Sequence, residues 1–145
     1  MNKYNIEYNI SVNKLNINDV IVLSRHSSLG YGEHYYNIAV VKSINENIIA
    51  DLITYDTETN DLDNFLETCY ITSYNYDNIN LTKEHINKIH RIPTDVIINQ
   101  IQKQILINNN KISDLEINNT RLLNKLTSYS NLEEFMNDDN DDFNQ

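Results

Sequence analysis

The sequence predicts an α+β protein: a small N-terminal antiparallel β-domain, in one version an SH3-like barrel, then a long C-terminal coiled-coil helix and a disordered acidic tail. Three observations predict it. Residues 4–12 alternate, with Tyr4, Ile6, Tyr8, Ile10 and Val12 on one side and polar residues on the other. From Ile98 onward, apolar residues recur at steps of three and four. Residues 132–145 carry six carboxylates and no Lys or Arg. The expected boundaries are 1–92, 93–131 and 132–145.

Period-2 alternation of β-branched and aromatic residues is the pattern of a half-buried strand, so 4–12 is read as the first strand. Residues 19–24, 35–44 and 47–55 follow as further strands. Asn45-Glu46 is short enough to close the last two into a hairpin. Residues 56–64 are acidic and rich in breakers, the composition of an exposed loop. Residues 66–74 and 78–81 are weaker strand candidates. Short strands with turn signals and no helix between them suggest a small twisted sheet or barrel.

Pro93-Thr94-Asp95 supplies a helix start, with hydroxyl and acidic side chains able to cap free N–H groups. Ile98, Ile101, Ile105, Ile112, Leu115, Leu122 and Leu126 then form the a/d seam of a heptad repeat. Asn108 and Asn119 fill its two missing positions, and Tyr129 falls on the next d. At 1.5 Å per residue, a helix over 94–129 would be about 54 Å long. Asn108-Asn-Asn110 is a poor helix former. The seam nevertheless continues through it without a slip, so one continuous helix is expected rather than a helical hairpin. A strict a/d stripe is narrower than a core-facing helix usually shows. The seam is therefore read as an oligomerisation surface. The tail, with Phe135 and Phe143 among its carboxylates, has too little apolar content to order itself.

The 145-residue chain has 11 Lys+Arg against 21 Asp+Glu, two glycines, one proline and one cysteine. A net charge of −10 argues against a phosphate-backbone binder, and no direct nucleic-acid binding is expected. One cysteine makes no internal disulfide and is too few for a thiolate zinc site. Two glycines leave no material for a phosphate-cradling loop. No apolar run approaches the ~20 residues that span a bilayer, and the first residues lack a secretory signal. A cytoplasmic location is expected, that of the host if the source is a virus, with no membrane partner. Asn (26) and Ile (21) lead the composition. Both have A/T-rich codons, which points to an AT-rich bacterium, phage or other virus.

The charge is unevenly spread. Residues 1–50, 51–82, 83–131 and 132–145 carry 0, −7, +3 and −6. Both glycines fall within Arg25-His26-Ser27-Ser28-Leu29-Gly30-Tyr31-Gly32-Glu33-His34-Tyr35-Tyr36. This loop holds one of three arginines and two of four histidines. Loops on a rigid sheet collect binding residues, so Arg25, His26, Tyr31, Glu33 and His34 are candidates for contact with a partner. Asp56, Asp61 and Asp63 join them from the acidic stretch, where an array of carboxylates could imitate DNA phosphates. Ser27 or Ser28 with His26 or His34 names the parts of a nucleophilic triad, but no strained nucleophile turn accompanies them. His85 and His90 are five apart, which puts them on neither one helix face nor one strand face. No catalytic, metal or cofactor site is expected.

The function expected is a non-enzymatic, homo-oligomeric protein-binding module. One version is a viral or phage accessory protein that inhibits a host defence or nucleic-acid-processing protein. The alternatives are a structural tether of a larger assembly, and a small-molecule or nucleotide-binding domain using the 25–36 loop.

Overall fold

A computed structural model describes residues 2–26, 34–59, 61–74, 77–84 and 86–136, and of His26, His34 and residues 132–136 only the backbone. Among these residues, six antiparallel strands form one sheet, and a long C-terminal helix follows, so the α+β class holds. The chain divides into two compact units, Met1–Gln104 and Ile105–Gln145.

The sheet is built from β1 (Val20–His26), β2 (His34–Ile44), β3 (Ile48–Leu52), β4 (Thr57–Glu58), β5 (Asp77–Asn80) and β6 (Lys88–Ile92). Its order is β5-β3-β2-β1-β6, and β4 adds to β2 through Tyr35↔Glu58 and Tyr36↔Thr57. The β2–β3 hairpin turns at residues 45–47, at the Asn45-Glu46 position that the sequence indicates. Its register shifts between Val41 and Ser43, leaving Lys42 as the extra residue of a bulge. A bulge bends its strand and increases the local twist. That suits β2, whose first half pairs with β1 and β4 and whose second half pairs with β3.

β1 is covered on both sides: Ile21, Val22 and Leu23 are wholly buried. Val20 and Val22 join one apolar cluster with Tyr36, Ile38 and Ile92, and Ile21 and Leu23 join the other with Ala39, Val41 and Ile89. Alternate residues feed opposite faces, which is why the strand reads as an unbroken apolar run. The second cluster is filled mainly from the sheet itself, by Ile48, Ala50, Leu52 and Ile79, and is closed by Leu15 and Leu81.

The first cluster is roofed by α1 (Leu62–Thr68) and the segment after it, through Phe65, Leu66, Cys69 and Ile71, together with Ile6 and Ile97. Residues 66–74 are therefore not a strand, and 56–64 is not a plain loop. Asp61 nucleates α1 as its N-cap, its Oδ1 accepting from the N–H groups of Asp63 (3.0 Å) and Asn64 (3.3 Å). Phe65 and Leu66 then sit together on the inward side. Tyr36 stacks on Phe65 at 5.5 Å between ring centroids.

Residues 4–12 do not form the expected strand either. Only Glu7 bridges to the sheet, opposite Arg91. Asn5 and Asn9 take positive φ (54° and 56°), a conformation that asparagine tolerates and that breaks strand pleating. The segment instead runs along the outer edge of β6, with Glu7 and Ile10 bonded to Arg91 and Ile89. Ile6 joins one cluster and Ile10 the other, so the chain rounds the sheet edge between them. β6 went unread in the sequence because His90 and Arg91 interrupt its apolar residues.

The helix α2 (Thr94–Met136) starts at the expected Thr94 and continues unbroken through residues 108–110. It also extends to Met136, into the stretch expected to be a disordered tail; residues 137–145 lie outside the described residues. Within the first unit, its opening turns are fastened by side-chain amides. Gln104 accepts from Ile71 N–H (2.6 Å) and donates back to Ile71 C=O (3.0 Å), and Gln100 donates to Cys69 C=O (3.1 Å). Ile97 is buried beneath them.

Phe65 is the largest wholly buried side chain among the described residues. Phe65→Ala should cost about 3–5 kcal/mol in urea denaturation. Ile17→Ala, at a position 56% exposed, should stay within about 0.5 kcal/mol of the parent.

Candidate functional site

The structure brings two of the expected partner-facing residues together. Arg25 lies toward the end of β1, opposite Tyr35. Asp56 lies just after Tyr55, where the chain leaves β3 for β4. Arg25 Nη2 donates to Asp56 Oδ1, and Asn37 Nδ2 donates to the same oxygen. Asn37 is buried, whereas the Asp56 side chain is 55% exposed. One carboxylate is therefore held from inside by an amide and from the flank by a guanidinium, with its outer side in solvent. Two residues before Asp56, Thr54 is buried, and its Oγ1 accepts from Ile38 N–H at 2.8 Å.

Sequence reasoning overlooked two tyrosines, one of which, Tyr55, precedes Asp56 in the chain. Tyr55 and Tyr74 are 50% and 62% exposed, and their hydroxyls lie 3.3 Å apart. Rigid amphipathic rings at a surface are characteristic of contact sites between proteins. The pair is 19 residues apart in sequence, and no spacing rule could have joined it.

The other expected residues go elsewhere. Asp61 is engaged as the cap of α1, and Asp63 lies in that helix's first turn. Asp56 is on the β3–β4 connection, before that helix. His26 and His34 are register partners across β1 and β2. Tyr31, Glu33, the serines and both glycines of the loop lie outside the described residues, as does His85. Among the described residues, no group of three or more His, Cys, Asp or Glu is placed to hold a metal.

A second polar locus surrounds His90 on β6. A cavity of about 340 Å³ is lined there by Tyr8, Ser24, Tyr36, Asp61, Lys88 and His90, among others. His90 Nδ1 accepts from Asn9 N–H at 3.1 Å, which assigns the proton of the neutral ring to Nε2. The Tyr8 ring meets the imidazole edge-on at 5.2 Å. Burial, with a smaller contribution from Lys88, holds the His90 pKa below its ordinary value, and burial followed by Asp61 raises that of the Tyr36 phenol. Cys69, the one thiol, is buried and pushed up to about 11 by desolvation, so it carries little thiolate near neutral pH.

On α2 the seam residues form a third locus. Ile98, Ile101, Ile105, Ile112, Leu115, Leu122, Leu126 and Tyr129 are all exposed, from 37% at Ile101 to 63% at Tyr129. Asn108 and Asn119 are exposed as well. Ile97, one residue before the seam begins, packs into the first cluster.

Because native His90 stays neutral while the unfolded chain binds a proton near pH 6.5, stability should fall as pH drops through 6.5 toward the lowered native value. His90→Asn keeps an acceptor for Asn9 and removes the titration. Urea denaturation across pH 7.5 to 5 should give a flatter profile for this variant, and an unchanged slope would show that another group carries the dependence. Comparison with protein-family models, curated proteins and solved structures finds no match to this chain, so its functional reading rests on these three loci.

Proposed function

We propose that this chain is a non-enzymatic protein-binding module that self-associates through α2 and meets its partner with the surface around Arg25 and Asp56. The observation that carries the proposal is the seam. Eight large apolar residues in heptad spacing stand in solvent on one helix, and an exposed apolar patch of that extent on a monomer would be unusual. Their spacing selects a second helix over a sheet or a lipid surface. In the same proposal the first unit is an SH3-like barrel, and the strand order β5-β3-β2-β1-β6, in which the last strand returns beside the first, supports it.

The partner-facing surface is supported by its chemistry. Asp56 is preorganised by Arg25 and Asn37, and Tyr55, next to it in the chain, pairs with Tyr74 as exposed aromatic area. Preorganised charge and rigid rings lower the ordering cost of binding. Self-association would add to this by presenting two or more such surfaces together, so that a weak single contact becomes a strong multiple one. The buried, poorly ionised Cys69 offers no nucleophile.

Light scattering of the full chain should give a multiple of its 17.0 kDa mass. Leu115→Glu with Leu122→Glu should return it to a monomer while leaving the far-UV signature of the sheet in place. A monomeric parent chain, or a double variant of unchanged mass, would overturn self-association through the seam.

A further inference from the structure

We infer that α2 pairs with α2 of a second copy in parallel and in register, as a two-stranded coiled coil; this rests on the self-association proposed above and specifies its number, direction and alignment. With Tyr129 at d, the a positions are Ile98, Ile105, Ile112, Asn119 and Leu126. The d positions are Ile101, Asn108, Leu115, Leu122 and Tyr129. β-branched residues at a, with leucine at d, favour two strands over three or four. Ile112 and Leu115 give that combination at the centre of the helix, and both are exposed there.

The two asparagines fix the alignment. In register, each meets its own counterpart, amide to amide. A slip of one heptad would set Asn119 against an isoleucine or a leucine and bury an unpaired amide. The amides do not fix the direction, because an antiparallel pair centred between Ser113 and Asp114 also brings Asn108 opposite Asn119. Charge does.

In a parallel pair, each g residue lies beside the following e residue of the other helix. Lys111 is a g residue and Glu116 is that e residue. The parallel pair thus gains two symmetric Lys111–Glu116 contacts between the copies. Antiparallel helices set g beside g and e beside e, so Lys111 falls next to Asn118 and Glu116 next to Asn109. That arrangement contains no ion pair between the helices. None of the other flanking positions along the seam carries an acidic residue, so no like-charge acidic contact opposes the parallel choice.

The test is a cross-linking and charge-exchange experiment on the full chain, with the buried Cys69 retained. Tyr129→Cys should form a disulfide-linked dimer in a glutathione redox buffer, because parallel helices bring the two positions side by side. Antiparallel helices would hold them about 46 Å apart, at 1.5 Å per residue. In that case only a mixture of Tyr129→Cys with Ile98→Cys would cross-link, and this result would overturn the direction while keeping self-association. Lys111→Glu should weaken the dimer about five- to tenfold at low salt, and adding Glu116→Lys to it should restore the parent affinity. Failure of the double exchange to restore would overturn the pairing. A trimeric or tetrameric mass would overturn the two-stranded state, and a monomeric parent chain would remove the underlying self-association itself.

Discussion

The first unit depends on one constraint: β1 must be covered on both faces at once. A strand with Ile21, Val22 and Leu23 in sequence has no side to offer solvent, and six strands cannot bury both faces of their own sheet. One face closes on itself through residues of β2, β3, β5 and β6. The other needs a roof, which α1 and the opening of α2 provide. The chain before β1 has to serve both sides, and Arg91 makes that possible. Its Nη2 and Nε donate to Glu7 Oε2 (2.6 and 3.2 Å), and its Nη1 donates to Asp19 Oδ2 (3.0 Å) and Lys14 C=O (3.1 Å). Charge-assisted bonds to Glu7 and then Asp19 hold it protonated. One guanidinium thus ties the start of the segment, the 3₁₀ turn at Val12–Lys14 and the approach to β1 against the outer strand, whose edge they shield.

What was legible in the sequence followed from burial that has a simple period. The continuous runs at 20–24 and 36–39 announced strands because every residue there is buried. The heptad announced a helix because its apolar residues mark one face over ten positions. The rest failed for physical reasons. Residues 4–12 alternate perfectly, yet the positive φ of Asn5 and Asn9 sends Ile6 and Ile10 to opposite faces of the sheet. In α1 only seven residues are helical, too few for a period to show, and the cap at Asp61 resembles any acidic loop. β6 contains a histidine and an arginine whose partners, Asn9, Glu7 and Asp19, are more than seventy residues away. The candidate site divided in the same way. Arg25 was recognisable as a scarce arginine in the glycine-bearing loop and Asp56 as one carboxylate of an acidic stretch, but their meeting, and the Tyr55–Tyr74 pair, are products of topology.

The early turns of α2 carry two adjacent stripes with different surroundings. Ile97, Gln100 and Gln104 hold it to the roof of the first unit, two of them through amide bonds to backbone that no strand satisfies. The seam begins one residue later, at Ile98, on a neighbouring stripe. The side chains that attach the helix to its own unit are therefore not those of the exposed stripe. The amide fastening also orders the segment after α1, which carries Tyr74 and hence one half of the exposed tyrosine pair.

Asn5, Asn9 and Asn18 all adopt left-handed backbone (φ 54°, 56° and 74°) in a chain that has only two glycines, neither of them at these turns. Asparagine is here a substitute hinge, tolerable because its short amide can meet nearby backbone where a β-branched side chain would clash. An abundance of one residue that looks like mere codon drift is thus divided into two populations. Others among the 26 asparagines act through their amides, as Asn37 does on Asp56, while these three are geometric fixtures, and loss of Asn5 or Asn9 to isoleucine, a single-nucleotide neighbour, would unseat the wrap around β6.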